Sequence, residues 1–157
     1  MEHPKDVGDR STLAIMLALR DRGYGVYVAF GENTRSDLAI DDGRRLLRVQ
    51  CKTGRLRNGA VTFATASTYA HHRSPRVIRR TYEGEVDLFA VYCPETAGVY
   101  LIPIGDVPTR SFARLRVEPS RNNQYRHVRL AAQYEIGRVD FATAEPGARA
   151  GASGSSA

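Results

Sequence analysis

Three polar side chains have types and a spacing that suit phosphate chemistry. Asp37 stands at the start of an apolar run, twelve residues separate it from Gln50, and Lys52 follows two residues after Gln50. A carboxylate, an amide oxygen and an ammonium together form a plausible site for a hard cation and a phosphate. These groups can act together only if the fold brings position 37 next to positions 50 and 52.

A β-hairpin is predicted to do this, because Asp42-Gly43 is a residue pair typical of tight turns. With that pair as the two central turn residues, Asp41 pairs with Arg44 and Asp37 lies opposite Arg48. Side chains alternate between the faces of a strand, so this register puts most apolar side chains on one face. The apolar face carries Leu38, Ile40, Leu47, Val49 and Cys51, and the other carries Asp37, Ala39, Leu46, Arg48, Gln50 and Lys52. The three candidate site residues then converge at the open end of the hairpin.

The elements around the hairpin follow from the same kind of pattern. A first helix is predicted to begin with Asp6 as its cap and to stop at Gly23, and its apolar circumference predicts that it is largely buried. Strands are predicted over 24–30, 37–41, 45–52, 60–65, 86–93 and 99–104, with a turn at Asn58-Gly59. Of these, 86–93 has the continuous apolar character of a central strand covered on both faces. Residues 67–84 fit no single state, and 115–136 is predicted to form a short strand followed by a helix.

Composition narrows the class of protein. The chain has 157 residues and a net charge of +6, which favours a polyanionic partner. We expect one domain over 1–146 and a disordered tail over 147–157, which is rich in Gly, Ala and Ser. The chain contains no apolar run of the roughly 18 residues that a membrane helix needs, and the first residues are polar rather than signal-like. Two dispersed cysteines fit a reducing cytoplasm, so we expect no membrane association and a cytoplasmic location.

Arginine is the default cation of this chain. Of the 23 basic residues, 21 are Arg, and only Lys5 and Lys52 are Lys. A compact ammonium acts as a point donor in a way that a guanidinium does not, which gives a reason for the lysine at position 52. Arginines near the hairpin and in the following basic stretch are predicted to contact phosphates of a polyanionic partner, which is DNA if the resemblance described below holds. They are Arg44, Arg48, Arg55, Arg57, Arg76, Arg79 and Arg80, with Arg45 and Arg73 beside them.

The arrangement of Asp37 followed by Gln50-Cys51-Lys52 resembles the PD-(D/E)xK nuclease motif, with Gln50 where an acid is more common. The early Gly8-Asp9, the run FGENTRSDLAIDDGRRLLRVQCKTG and the later YEGEVDLFAVYCPETAGVYLIP resemble the branch that includes a group I intron homing endonuclease of cyanobacteria. This resemblance covers residues 5–136. It implies an α/β (α+β) fold with a restriction-endonuclease-like core, in which a mixed central sheet with an αβββ start is flanked by helices.

The resemblance also implies an activity, namely Mg²⁺-dependent hydrolysis of phosphodiester bonds in double-stranded DNA, with Mn²⁺ as a substitute metal. In that reading Asp37 ligates the metal, Gln50 offers its amide oxygen, and Asp9 contributes directly or through a water. Lys52 orients the attacking water and stabilises the developing charge. Relatives commonly have Glu where this chain has the shorter Asp9, and Glu32 is a second candidate acid.

Several alternatives stay open at this point. Asp9 has an equally good role as a carboxylate in the first turn of a helix. The enzyme could instead be a structure-specific nuclease that resembles a Holliday-junction resolvase, or the chain could be a DNA-binding module of the same fold without catalysis. Because one site per chain cuts one strand, a double-strand endonuclease implies a homo-oligomer, either a dimer or a tetramer.

Overall fold

One long helix and ten strands make up most of the described chain. The computed structural model describes residues 1–31, 34–70, 77–108, 111–118 and 128–137. Its elements are α1 (Pro4–Asp21), β1 (Gly25–Val28), β2 (Leu38–Asp41), β3 (Leu46–Thr53), β4 (Arg55–Arg57), β5 (Ala60–Ala64), β6 (Ala66–Ala70), β7 (Val77–Thr81), β8 (Leu88–Cys93), β9 (Gly98–Pro103), β10 (Phe112–Arg116) and α2 (Ala131–Tyr134). The chain therefore has the predicted αβββ start.

The start of α1 differs from the prediction. The cap is His3, whose Nδ1 accepts a hydrogen bond from the backbone N–H of Lys5, and the helix begins at Pro4 rather than after Asp6. Proline suits the first helical position, because its missing N–H would have no partner there and its φ angle is already helical. The predicted end is confirmed, since Gly23 follows the helix with a φ angle of 85°.

The prediction that α1 is largely buried is wrong. Its buried residues are Ser11, Ile15 and Leu19, which form one stripe, whereas Leu13 and Leu17 are 62% and 64% exposed. The helix covers one face of a sheet and has no described neighbour on its outer side.

Five strands form a mixed sheet in the order β1-β2-β3-β8-β9. Neighbouring strands in it are antiparallel except β3 and β8, which are parallel. A smaller sheet has the order β10-β5-β4, and β6 pairs with β7. The strand β8 has neighbours on both edges and is buried on both faces, as its continuous apolar sequence predicts.

The two faces of the mixed sheet belong to two apolar cores. On one face, Ile15 and Leu19 of α1 pack with buried side chains of β2, β3, β8 and β9. On the other face, Phe89 and Val91 of β8 pack with side chains of β5 and β10, so the described residues place a sheet on this side. We refer to this second region as the interlayer core.

The hairpin of β2 and β3 forms in a register two residues away from the predicted one. Asp41 pairs with Leu46 rather than Arg44, and Leu38 pairs with Val49. The turn is longer because the Asp42 carboxylate accepts hydrogen bonds from the backbone N–H groups of Arg44 and Arg45, at 2.8 and 2.9 Å. A shift by two residues keeps every side chain on its predicted face, so the predicted apolar and polar faces are both confirmed.

Other predicted elements agree with the structure within a few residues. Asn58 and Gly59 form the predicted turn, with φ angles of 50° and 72°. Both cysteines are free and buried. Residues 67–84 contribute to the hairpin of β6 and β7, and 115–136 begins inside β10 and ends after α2. The predicted tail, 147–157, lies outside the described residues.

Gly54 marks the place where the chain passes from the mixed sheet to the smaller sheet. Its N–H donates to the carbonyl of Tyr92 at 2.8 Å. A Cβ atom at this position would lie 2.7 Å from Cγ1 of Val61 in one sheet and 2.9 Å from Cγ1 of Val91 in the other. The close approach of the two sheets therefore requires glycine here.

We expect Gly54→Ala to lower the free energy of unfolding by about 1–3 kcal/mol, the usual cost of an added methyl group in a filled core. The matched control is Gly8→Ala within α1, where an added Cβ would meet nothing within 4 Å. Because alanine favours a helix, Gly8→Ala should raise the free energy of unfolding by about 0.5–1 kcal/mol. Urea titration measures both values, and unchanged stability of Gly54→Ala would contradict the close packing.

Candidate active site

Two backbone groups of β3 hold Asp37 in place. Its N–H donates to the carbonyl of Val49 at 2.9 Å, and its Oδ2 accepts a hydrogen bond from the N–H of Cys51, also at 2.9 Å. Gln50 lies between these two partners, so Asp37 extends the β2–β3 ladder opposite Gln50. The other carboxylate oxygen, Oδ1, has no hydrogen-bond partner among the described residues.

Gln50 and Lys52 lie on the face of β3 that borders the interlayer core. They pair with Phe89 and Val91 of β8, respectively, and paired residues of neighbouring strands share a face. Both polar side chains are partly exposed, whereas Phe89 and Val91 are fully buried. The amide of Gln50 makes no hydrogen bond to another described side chain. The polar face of the hairpin therefore lies at the edge of the interlayer core.

Lys52 is held by an aromatic residue of a distant segment. Its Nζ donates to the hydroxyl of Tyr82 at 3.0 Å and lies 4.6 Å from the centre of that ring. Lys52 makes no ion pair within the described part of the chain, although its charge acts on Asp37. One of its three N–H groups is used by Tyr82, so two remain for a water or a phosphate.

Burial raises the pKa of Asp37 above its ordinary value. The hydrogen bond from Cys51 and the positive charge of Lys52 act in the opposite direction but do not cancel the loss of hydration. The neighbouring thiol responds more strongly, since burial and the charge of Asp37 raise the pKa of Cys51 to about 12. The buried thiol of Cys51 is therefore protonated at physiological pH.

Arg35 and Glu85 belong to this region, and the sequence analysis did not single them out. The Arg35 guanidinium forms an ion pair with Glu85, donates to Oγ of Ser67 at 3.0 Å, and lies 4.0 Å from the centre of the Tyr82 ring. The sequence signal that could have pointed to Arg35 is its position two residues before Asp37. These contacts also bring Ser67 and Tyr82 into the region.

Asp9 is exposed on α1, which covers the opposite face of the mixed sheet. It lies three residues before Thr12, whose side chain contacts the thiol of Cys51, and residues three apart share a helix surface. Asp9 makes no hydrogen bond or ion pair to another described side chain. Its part in the site stays a prediction, and the other candidate acid, Glu32, lies outside the described residues.

The donor atoms suit a divalent cation of the hard type. Asp37 offers a desolvated carboxylate with one oxygen unoccupied by described donors, and Gln50 offers an amide oxygen on the same face. Positive charge placed there would offset the lost hydration of the carboxylate. Within the described ranges, no group of three or more His, Cys, Asp or Glu side chains lies together, and Asp37 and the neutral Gln50 remain the candidate donors at this place.

The predicted phosphate-contacting arginines differ in their partners. Arg48 is paired with Asp87 through its Nε at 3.4 Å, and Arg55 is paired with Glu95 at 3.8 Å. Arg44 and Arg57 are exposed and make no ion pair with another described residue.

The structure gives less information on the other arginines that were predicted to contact phosphates. Arg79 and Arg80 lie in β7, opposite Thr68 and Ser67. Arg73 and Arg76 lie outside the described residues.

No helix among the described residues is long and apolar enough to span a bilayer.

Comparison with known proteins identifies the family. The family described as PD-(D/E)XK endonuclease matches residues 2–137, which is most of the chain. This protein belongs to the PD-(D/E)XK endonuclease family. The predicted recognition of this family from Asp37, Gln50 and Lys52 and their surroundings is therefore confirmed. No curated protein matches the chain.

A solved structure shows the same fold. The chain is similar to the bacterial homing endonuclease I-Ssp6803I with a TM-score of 0.68 and 23% sequence identity, over 85% of this chain and 89% of that one. The predicted α+β fold with a mixed central sheet is confirmed by this match and by the strand order.

The raised pKa of Asp37 has a consequence for stability. A carboxylate whose pKa is raised on folding binds protons more readily in the folded state, so its contribution to stability is fully present below the ordinary value of 3.8 and is lost as the pH rises through the raised pKa of the folded state. We expect Asp37→Asn to be more stable than the wild type at pH 7 by a few degrees in Tm, because the desolvated charge is removed while the bond from Cys51 is kept. In a chain of this size about 1 kcal/mol moves Tm by roughly 2–4 °C.

Thermal unfolding between pH 3 and pH 8 checks this expectation, and the gain should shrink toward the acidic end. Asp41→Asn is the control, because Asp41 also accepts one backbone N–H, that of Gly43 at 2.8 Å, in the exposed turn of the same hairpin. A loss of stability in Asp37→Asn at pH 7, or a gain that does not change with pH, would show that Asp37 carries no desolvation cost.

Proposed function

We propose that this protein is a divalent-metal-dependent endonuclease that hydrolyses phosphodiester bonds in double-stranded DNA. The observation that carries the proposal is the fixed position of Asp37 opposite Gln50, on the face of β3 that also carries Lys52. Family membership supports nuclease chemistry, and the matched structure is that of a homing endonuclease.

The residues that would hold the metal are Asp37, through Oδ1, which has no hydrogen-bond partner in the described part of the chain, and Gln50, with Asp9 as a third candidate. When bound, Mg²⁺ or Mn²⁺ would neutralise phosphoryl charge and lower the pKa of a bound water. Gln50 brings no negative charge, so more of the electrostatic task falls on Asp37 than in a site with two acids. The burial that raises the pKa of Asp37 also strengthens its attraction to a cation.

Lys52 supplies a donor at a defined point. Its ammonium is anchored to the Tyr82 hydroxyl and has no ion pair among described residues, so its charge is available to a phosphate. We assign to it the orientation of the attacking water and the stabilisation of charge in the transition state. Arg44 and Arg57, which are exposed and make no described ion pair, are the first candidates for contacts with the DNA backbone.

Cleavage of both strands requires two such sites, so the proposal includes a homo-oligomer. The edge strand β1 offers one surface for it, since Tyr27 and Val28 are 58% and 67% exposed and Phe30, beyond the strand, is fully exposed. An edge strand with exposed apolar side chains readily pairs with another chain. Sedimentation velocity should give at least a dimer for the wild type and a smaller species for Val28→Lys, and a wild-type monomer would contradict the proposal.

Lys52→Ala should lower the rate of Mg²⁺-dependent cleavage of supercoiled plasmid by at least about 100-fold, the loss typical of removing one preorganised donor. Asp37→Asn should lose cleavage as well, because the neutral amide holds a metal poorly. Lys5→Ala removes the only other lysine, which is exposed at the start of α1, and should cleave as the wild type does.

Fluorescence anisotropy with labelled duplex DNA, in Ca²⁺ or without metal, separates chemistry from binding, and all three variants should keep the wild-type affinity. Full cleavage by Lys52→Ala or Asp37→Asn would refute the site. Binding that depends on salt without any Mg²⁺-dependent nicking by the wild type would show instead a DNA-binding module. Preference for a four-way junction over the plasmid would show a structure-specific nuclease.

A further inference from the structure

We propose that Tyr82 is a positioning residue for the candidate site, which acts by fixing the ammonium of Lys52. The inference rests on the proposed function, and it adds a residue that lies outside the Asp37, Gln50 and Lys52 motif. Tyr82 follows β7, thirty residues after Lys52, and its hydroxyl accepts the hydrogen bond from Lys52 Nζ at 3.0 Å.

The Tyr82 ring is itself held firmly. The residue is only 4% exposed and is part of the interlayer core. Its ring packs edge-on against Phe89, with ring centres 5.7 Å apart at an angle of 88°. Its backbone carbonyl accepts from the N–H groups of Glu85 and Val86, at 3.0 and 3.2 Å. The hydroxyl is therefore a fixed acceptor at the boundary between the core and the polar face.

A lysine needs such an acceptor more than most side chains do. Its flexible stem carries about 2 kcal/mol of rotamer entropy, and a free ammonium would occupy many positions. A donor displaced by about 1 Å can cost roughly 100-fold in rate, so one hydrogen bond that restricts the stem has a large effect on chemistry. Because the hydroxyl is neutral, it restricts Lys52 without cancelling its charge.

The same ring also supports the segment that leads into Asp37. The Arg35 guanidinium lies 4.0 Å from the centre of the Tyr82 ring, and this guanidinium forms an ion pair with the carboxylate of Glu85. Glu85 thereby offsets the repulsion between two cations near one ring. Tyr82 thus connects the residue that provides the donor with the segment that precedes the metal ligand.

Tyr82→Phe is the decisive variant, because it keeps the ring and its contacts with Phe89 and Arg35 but removes the acceptor. We expect kcat for DNA cleavage to fall by about 10- to 100-fold while KM and the affinity for duplex DNA stay within about twofold. A purely structural role would instead lower the fraction of folded protein and leave kcat per folded molecule unchanged.

Tyr100→Phe is the matched control. Tyr100 belongs to the same interlayer core and is also 4% exposed, and among the described residues its hydroxyl makes one hydrogen bond, of 3.0 Å, with Oγ1 of Thr96. It removes a comparable bond without touching Lys52, so its kcat should equal that of the wild type. An equal fall in kcat for both variants would overturn the proposal.

A second measurement does not depend on cleavage. With ¹⁵N-labelled lysine the protein should give two side-chain NMR signals, from Lys52 and from the exposed Lys5. The Lys52 signal should shift and broaden in Tyr82→Phe and stay unchanged in Tyr100→Phe, with Lys5 as the internal reference.

Identical Lys52 signals in the wild type and Tyr82→Phe would overturn the positioning role, even if the wild type cleaves DNA. If the Lys52 signal changes in Tyr82→Phe but the wild type cleaves no nucleic acid, the proposed function is overturned and the contact between Tyr82 and Lys52 is established. The two failures are therefore distinguishable.

Discussion

The pairing of Asp37 with the backbone of β3 is the constraint on which the candidate site depends. A carboxylate next to a sheet usually keeps its hydration by turning outward, but this one is drawn inward by the N–H of Cys51. The bond fixes the side chain opposite Gln50 and by itself lowers the pKa of Asp37, but burial at this position removes water from the carboxylate and raises the pKa overall. The place that the bond gives the carboxylate therefore also imposes a loss of hydration, which a bound cation would offset.

Strand β3 serves the core and the site with alternate residues. Val49 and Cys51 pack under α1, whereas Gln50 and Lys52 face the other side beside the interlayer core. Because a strand alternates strictly, no residue of β3 can move from one task to the other without a shift of register. Packing of Val49 and Cys51 under α1 thus fixes the positions of Gln50 and Lys52 on the other face. The helix therefore affects the candidate site mainly by packing on β3 and not by touching the polar side chains.

The sequence predicted the faces of this hairpin better than its register. Alternation of apolar and polar residues depends only on parity, so it survived the two-residue shift that the Asp42 side chain imposes. That shift depends on a local bond between a side chain and the backbone, which the turn pair alone does not reveal. Tyr82 was harder to predict, because it meets Lys52 across 30 residues, from a stretch with no clear periodicity. The motif predicts which residues form the candidate site, whereas the residues that support them are visible only in the tertiary structure.

The contrast between arginines and Lys52 becomes sharper with their partners known. Arg48 and Arg55 face Asp87 and Glu95 in partly exposed pairs, and such pairs contribute only about 0–1 kcal/mol. Exchanging a carboxylate for a DNA phosphate would cost these arginines little, so pairing does not remove them from a DNA-binding surface. Lys52 differs in kind, since its hydrogen-bond partner is a neutral hydroxyl that holds the ammonium in place, and it forms no ion pair with any residue that the structure describes. A guanidinium in its place would have a larger planar head to fit beside the Tyr82 ring, which gives a physical reason for lysine at this position in a chain that otherwise uses arginine.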